Sequence, residues 1–403
     1  MAVSKHAYDG AIIITASHNP REYNGLKFVT NKALFTNEAE VEKIKNNLKK
    51  LRQDIPSVST NNFLLKIFSS RADALRKASR RNILTTFLQK EHSGGNSEPK
   101  ENFSFSQFPN EHADQILKHV NVEKIRARKF KVAVDMINAS ACVLDPYLFE
   151  QLGVELIPLN NIPNGIFAHK PEPLKENLEE IAHITKEQKC DIGFAHDPDA
   201  DRLVVINEEG EVISEEYTLA IGVEAVLSKN LNNKVVINMS TSQMNKDIAE
   251  KYGGTCIRTK VGEANVVNGI IENKAIIGGE GGGGIIYPTI NMARDSFVSL
   301  ALILELLAER NQTVTECVKS LPLYAVRKDK MPISGDLSEM YKKLKNHFGN
   351  AEVNELDGLR LDFSDSSWIH LRPSNTEPII RLIGEAKTKE RIEELFAEAK
   401  AIL

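Results

Sequence analysis

Two short apolar runs, 192–195 (Ile-Gly-Phe-Ala) and 203–206 (Leu-Val-Val-Ile), enclose the heptapeptide His196-Asp197-Pro198-Asp199-Ala200-Asp201-Arg202, and no other stretch restricts the fold so tightly. Apolar runs of this length read as strands, so the seven residues between them form a tight turn at strand ends. That turn gathers three carboxylates at alternate positions. Crowded carboxylates repel one another, and a hard, oxygen-seeking divalent cation relieves the repulsion while leaving coordination positions for a ligand oxygen. Asp197, Asp199 and Asp201 are therefore candidate ligands for Mg²⁺. A solvated acidic turn or a Ca²⁺ loop stays open as an alternative, because D-x-D-x-D also opens an EF-hand.

The same alternation of strand-like and helix-like stretches runs along most of the chain, the pattern of α/β layers. Residues 131–135 read as a strand, 176–189 as a helix and 191–195 as a strand again. A similar unit follows, with a strand at 234–238, a helix at 243–252 and a strand at 275–278. Residues 296–310 are apolar almost all round, which predicts a well-buried helix. In the last segment Ile392, Leu395, Phe396 and Ala399 form one helical face behind a Thr388 cap, which predicts a small α+β domain. With 403 residues the chain exceeds the roughly 250–300 at which a single core stops growing. Boundaries near 126, 233 and 329 divide it into 1–125, 126–232, 233–328 and 329–403. Order is lost at about 52–115, which is rich in Ser, Asn, Lys and Arg and reads as a low-order insert. Its basic run, Arg71, Arg76, Lys77, Arg80 and Arg81, reads as a solvated face.

Three further segments carry chemistry. Thr15-Ala16-Ser17-His18-Asn19-Pro20 follows the apolar run 11–14 and ends at a proline. A serine hydroxyl is a weak nucleophile that needs a metal, a base or a positive neighbour, and His18 and Lys27 lie close in sequence. An ordinary turn in which Ser17 and Asn19 bond to backbone is the alternative. Arg372-Pro373-Ser374-Asn375-Thr376-Glu377-Pro378 holds the inventory of a phosphate cradle: a guanidinium fork, two hydroxyls, an amide and turn N–H groups. A capped loop has the same composition. Residues 278–284, Gly-Gly-Glu-Gly-Gly-Gly-Gly, let backbone approach a ligand and present one acid, or serve as a plain turn. They match neither a P-loop nor a dinucleotide fingerprint.

Composition narrows the alternatives. The 51 basic and 55 acidic residues give a formal net charge of −4, a balance that argues against a nucleic-acid grip or a membrane surface. No apolar run approaches the roughly 20 residues of a membrane helix. A secretory leader is not evident at the N-terminus. The four cysteines, Cys142, Cys190, Cys256 and Cys317, lack C-x-x-C spacing and read as reduced thiols of a cytoplasmic protein.

The serine loop, acidic loop, Gly-rich acid loop and closing phosphate loop occur in the order found in the α-D-phosphohexomutase family, and TASHNP, DPDADR and RPSNTEP closely resemble its signatures. Supporting stretches are Tyr23-Asn24-Gly25-Leu26-Lys27, Thr259-Lys260-Val261-Gly262-Glu263-Ala264-Asn265 and Arg294-Asp295. The resemblance spans the chain, is weakest at about 51–121, and is greatest to the phosphoglucosamine and phosphomannose/phosphoglucose mutases. It implies three α/β mixed-sheet domains, the first one incomplete, and a small C-terminal α+β domain. It also implies interconversion of hexose 6-phosphate and hexose 1-phosphate, with a phosphosugar substrate and a hexose bisphosphate as priming activator.

Carried over by position, the resemblance makes Ser17 the phosphoserine and a Mg²⁺ ligand beside Asp197, Asp199 and Asp201. His18, Lys27 and Arg202 are implied in catalysis, with Lys27 as general acid or base. Lys260, Glu280, Gly282 and Arg294 would bind the sugar. Arg372, Ser374, Asn375 and Thr376 would bind the non-reacting phosphate. The chain departs from the family pattern at Gly282, where Ser or Asn is usual, and at Gly284, where some branches carry His. Members also carry a strand and a Gly-rich, Arg-containing loop well before the serine motif, so the resemblance implies N-terminal truncation here. The alternative is a catalytically impaired phosphosugar-binding homologue.

Overall fold

The computed structural model describes residues 9–15, 25–53, 84–88, 107–332, 335–373 and 379–403. The chain divides into two compact units, Met1–Val212 with Ile290–Ala293, and Ile213–Thr289 with Arg294–Leu403. Among the described residues there are four sheets.

In the first unit, β1 (Gly10–Thr15) lies between β2 (Gly25–Thr30) and β3 (Leu84–Leu88), antiparallel to both. The registry aligns Thr15 with Gly25 and Ile13 with Lys27. Of the low-order insert expected over 52–115, residues 54–83 and 89–106 lie outside the described residues. Leu84–Leu88 completes a ladder along β1, and Gln107–Leu117 is a helix. Both escape a composition-based reading because the surrounding residues are polar and the pairing partner is far away in sequence.

The second sheet of this unit has the order β5-β4-β6-β7, from β4 (Lys131–Asp135), β5 (Glu155–Leu159), β6 (Ile192–His196) and β7 (Leu203–Ile206). Strands β4, β5 and β6 are parallel, and β7 returns antiparallel to β6. Continuous burial of β6 and β7 explains their unbroken apolar sequence, since strands covered on both faces need no polar alternation. The helix expected at 176–189 is shorter. A 3₁₀ turn at Lys175–Asn177 precedes the α-helix Glu179–Glu187. Leu178 interrupts the run with φ −115° and ψ 21°, its side chain buried.

The other unit repeats this topology. Its four-stranded sheet has the order β11-β10-β8-β9, from β8 (Lys234–Asn238), β9 (Thr255–Thr259), β10 (Ile277–Glu280) and β11 (Gly284–Ile286). Again three strands are parallel and the last, β11, turns back against β10. Strand β10 starts two residues later than the sequence implies, because pairing begins at Ile277 opposite Val235. That shift carries Glu280 onto the strand end. The helix Ser296–Arg310 is buried without a break from Ser296 to Leu307, and the Asp295 carboxylate caps it by accepting from the N–H groups of Phe297 and Val298.

The C-terminal part is the small α+β domain expected. Five antiparallel strands, β12 (Ala325–Pro332), β13 (Glu352–Asn354), β14 (Leu359–Asp362), β15 (Trp368–Pro373) and β16 (Ile379–Ala386), are ordered β12-β16-β15-β14-β13. The helices Leu337–His347 and Lys389–Ile402 cover the sheet, and Ile392, Leu395, Phe396 and Ala399 enter its core. Thr388 caps the last helix through Arg391 N–H. No helix among the described residues is long and apolar enough to cross a membrane.

Candidate active site

The acidic turn joins the C-terminal end of β6 to β7, where an open α/β sheet commonly places its ligands. Asp197 organises the turn. Its Oδ1 accepts from the N–H groups of Asp201 and Arg202 at 3.0 and 3.1 Å, and its carbonyl accepts from Ala200 N–H. Ala200 adopts a left-handed φ of 54° to close the turn. Ser140 holds the turn from the β4 side, its hydroxyl donating to the Pro198 carbonyl at 2.6 Å. The bonds to Asp197 are local, which is why a heptapeptide suffices to define the loop.

The ligand atoms of Asp197, Asp199 and Asp201 lie within 4.8 Å of one another. Asp197 and Asp201 are buried, and Asp199 is partly buried. Asp197 Oδ2 and Asp199 Oδ1 are buried and accept no hydrogen bond among the described residues. Burial, followed by the charges of Asp201 and Asp199, holds the Asp197 carboxyl well above the usual carboxylate range, with Arg202 opposing the shift. An all-oxygen set of crowded, desolvated carboxylates fits a hard divalent cation.

Lys27 reaches this cluster from β2. Its Nζ donates to Asp199 Oδ2 at 2.6 Å and to Asp201 Oδ2 at 3.3 Å. Arg202 Nε lies 3.7 Å from Asp201 Oδ1 and 3.9 Å from Asp197 Oδ2. The structure thus brings together Lys27, the three aspartates and Arg202. Ser17 and His18 lie outside the described residues.

The Gly-rich loop occupies the matching position between β10 and β11. Glu280 Oε1 accepts from Asn238 Nδ2 at 2.9 Å and Gly262 N–H at 3.0 Å, while Oε2 accepts from Arg294 Nη1 at 2.9 Å. Arg294 is fixed in turn by Glu263, which accepts from its backbone N–H at 2.8 Å and lies 3.4 Å from Nε. Two glycines here have steric reasons. A Cβ at Gly284 would stand 2.3 Å from Arg294 Cδ, and one at Gly281 would stand 2.0 Å from the Glu216 carboxylate. Gly282 sits in the turn itself, and Lys260 is exposed beyond β9.

Glu216 is buried beneath the loop. It accepts from Ser242 N–H and from Lys328 Nζ on β12, and burial pushes its carboxyl up to about 7 against the pull of Lys328. Further buried contacts tie the strand-end segment 238–243 to the C-terminal domain. Glu385 accepts from the Ser242 hydroxyl and Gln243 N–H, Ser240 Oγ meets His370 Nδ1 at 2.9 Å, and Arg360 donates to the Met239 carbonyl.

Arg372 is buried near the end of β15, with Nε 3.6 Å from Asp357 Oδ2. Directly opposite on β16 stands Arg381. Like charges facing one another across an antiparallel pair are destabilising, an arrangement that suits an anion between or beside them. Ser374, Asn375 and Thr376 lie outside the described residues. Sequence reasoning missed Asn238, Glu216, Asp357 and Arg381, whose contacts cross between elements. Only Arg381, three residues beyond RPSNTEP, carried a local signal.

Four family profiles match the chain. "Phosphoglucomutase/phosphomannomutase, alpha/beta/alpha domain I" covers residues 1–55, domain II 110–210, domain III 214–324 and the C-terminal domain 327–402. The domain I match begins at residue 1, so it does not evidence the expected truncation. A phosphoglucomutase/phosphomannomutase of Thermococcus kodakarensis is 32% identical over 394 residues, spanning 96% of this chain and 76% of the relative. A phosphoglucosamine/phosphogalactosamine mutase of Sulfurisphaera tokodaii is 31% identical over 409 residues, spanning all of this chain and 82% of the relative. Among solved structures, a phosphoglucomutase/phosphomannomutase family protein of Burkholderia thailandensis superposes with a TM-score of 0.73 at 26% identity, covering 96% of this chain and 75% of the other. The chain belongs to the phosphoglucomutase/phosphomannomutase family, the phosphohexomutases, which are isomerases of the phosphotransferase type.

Proposed function

We propose that this protein interconverts hexose 6-phosphate and hexose 1-phosphate through a phosphoserine at Ser17 and a sugar bisphosphate, with a glucosamine, mannose or glucose phosphate as substrate. The observation that carries the reading is the meeting of Lys27 with Asp199 and Asp201 of the acidic turn, two segments far apart in sequence. Asp197, Asp199 and Asp201, with an oxygen of Ser17, would hold Mg²⁺. When bound, that ion supplies charge neutralisation to the transferring phosphoryl group.

The chain's own residues do the rest by alignment. A free sugar hydroxyl attacks the phosphorus on Ser17, the bond from phosphorus to the serine oxygen breaks, and a bond to the sugar oxygen forms. Lys27, held by Asp199 and Asp201, donates a proton to the departing serine oxygen and is restored by the proton that the attacking sugar hydroxyl releases. Arg202 limits the repulsion within the acidic turn, and His18 assists on the serine loop. The bisphosphate then turns over, and its other phosphate is returned to Ser17. Glu280, fixed by Arg294, grips sugar hydroxyls, with Lys260 and the Gly282 turn at the same loop cluster. Arg372, Ser374, Asn375 and Thr376, joined by Arg381, bind whichever phosphate is not reacting. A fixed guanidinium clamp serves both orientations because it reads phosphate generically. Positioning and electrostatics of this kind account for most of the catalysis of phosphoryl transfer. The catalytic segments would fall in domains bounded near residues 126, 233 and 329, and the reaction belongs to soluble cytoplasmic sugar-phosphate metabolism.

Purified protein given Mg²⁺, a trace of glucose bisphosphate and each hexose phosphate in turn should isomerise at least one of them. The substitution S17A should abolish turnover while sparing phosphosugar affinity. Tight phosphosugar binding by the wild type without isomerisation, with or without priming, would instead identify a binding homologue.

A further inference from the structure

The Asp357 side chain stands between two parts of the substrate site that are far apart in sequence. Its Oδ2 accepts from Val261 N–H at 2.8 Å and lies 3.6 Å from Arg372 Nε. Val261 is flanked by Lys260 and by Gly262, whose N–H donates to Glu280 Oε1. One carboxylate oxygen therefore links the β9 turn beside the sugar-gripping acid to the phosphate-clamp arginine. The contact series runs Arg372, Asp357, Val261, Gly262, Glu280, Arg294.

Asp357 is itself rigidly seated. Its backbone carbonyl bonds to His370 Nε2, and the other ring nitrogen of His370 meets Ser240 Oγ. Burial pulls the His370 imidazole down to about 4, so it is neutral near neutral pH and acts there as a fixed hydrogen-bonding spacer. The next residue, Gly358, has φ 79°, and a Cβ there would stand 2.9 Å from Arg372 Cβ. The Asp357 turn is thereby pressed against the strand that carries Arg372. An ordered carboxylate beside Nε leaves the two Nη groups of the guanidinium for an anion and fixes the plane of the fork.

We propose that Asp357 is a positioning residue that couples phosphate capture by Arg372 to sugar capture by the Glu280 loop. This rests on the proposed assignment of those two groups to the substrate. Asp357→Asn keeps an acceptor for Val261 N–H and removes the charge beside Arg372, whereas Asp357→Ala removes both. The expected loss in hexose-phosphate affinity is about 10-fold for Asp357→Asn, within the usual 5- to 150-fold range of coupling between sites, and larger for Asp357→Ala. KM should rise by a similar factor with kcat little changed, because the interaction serves both ground and transition state.

The decisive experiment is a double-mutant cycle on hexose 6-phosphate binding with E280Q and R372K, in the wild-type and D357N backgrounds, with thermal melts as a control on folding. The two penalties should be coupled in the wild type and independent in D357N. Coupling of equal size in both backgrounds overturns the proposal, as does a D357N protein with wild-type affinity. A lowered melting temperature with unchanged KM and coupling also overturns it, leaving Asp357 a structural residue only. Binding without isomerisation by the wild type would refute the mutase reading and leave the cycle fully informative. Failure of the wild type to bind any hexose phosphate would refute both.

Discussion

The β6–β7 turn and the β10–β11 turn occupy the same place in two sheets of identical topology, yet they solve opposite problems. The first crowds three carboxylates and leaves Asp197 Oδ2 and Asp199 Oδ1 buried without hydrogen bonds among the described residues. The second presents one carboxylate, Glu280, with each oxygen already held by Asn238, Gly262 or Arg294. One loop is poised to gain a cation, and the other is a pre-fixed hydrogen-bonding surface. Topology supplies the position of a site, and side-chain satisfaction decides what the site can take.

The largest test of this contrast is Asp197→Asn. It should lower activity by roughly 10³-fold or more, the scale of losing charge neutralisation in phosphoryl transfer. Calorimetric titration should show Mg²⁺ binding lost in this variant and retained in Glu280→Gln. Equal Mg²⁺ loss in the two variants would break the comparison.

A smaller effect separates how the two loops are supported. The acidic turn is held by its own backbone and by Ser140, whereas the glycine loop rests on strand ends tied to the C-terminal domain. Arg360, fully buried, stacked 4.0 Å from the Trp368 ring and paired with Asp362, donates to the Met239 carbonyl there. Arg360→Ala should destabilise the second unit by about 3 kcal/mol, as expected when a large, fully buried side chain and its hydrogen bonds are lost. Urea unfolding would measure it, with Mg²⁺ affinity unchanged.

The smallest effect is a slope. The Glu216 carboxyl is raised from its usual value near 4.5 to about 7, chiefly by burial, with Lys328 lowering it and Glu215 and Glu385 raising it. A carboxyl with a raised folded pKa adds stability that is complete below its unfolded value and fades as pH rises through about 7. The stability difference between wild type and Glu216→Gln should therefore shift against the wild type by roughly 2–3 kcal/mol from pH 4.5 to 7. Parallel profiles would show that Glu216 does not titrate in this window.

What was legible in the sequence follows the same contrast. The acidic turn could be read because its residues are contiguous and its strands are short, apolar and fully buried. The helix Ser296–Arg310 and the Thr388 cap were legible for equally local reasons. The strand Leu84–Leu88 was not, since its partner β1 lies some seventy residues earlier and its surroundings are polar. Lys27 was picked for its nearness to Ser17, but its bond to Asp199, 172 residues away, needed the fold. Glu280 was visible as the acid among glycines. Its fixation by Asn238 and Arg294, and the reasons for Gly281 and Gly284, became visible only when Glu216 and Arg294 were seen packed against those backbones.

The central claim is that phosphate passes through Ser17 under the control of the acidic turn. Protein primed with a bisphosphate labelled in its phosphates, then chased with unlabelled hexose 1-phosphate, tests it directly when the peptide carrying Ser17 is followed by mass spectrometry. Label should appear on that peptide and leave with the sugar during the chase, only with Mg²⁺ present and not in D197N. Isomerisation that proceeds with the Ser17 peptide unlabelled throughout would contradict the account.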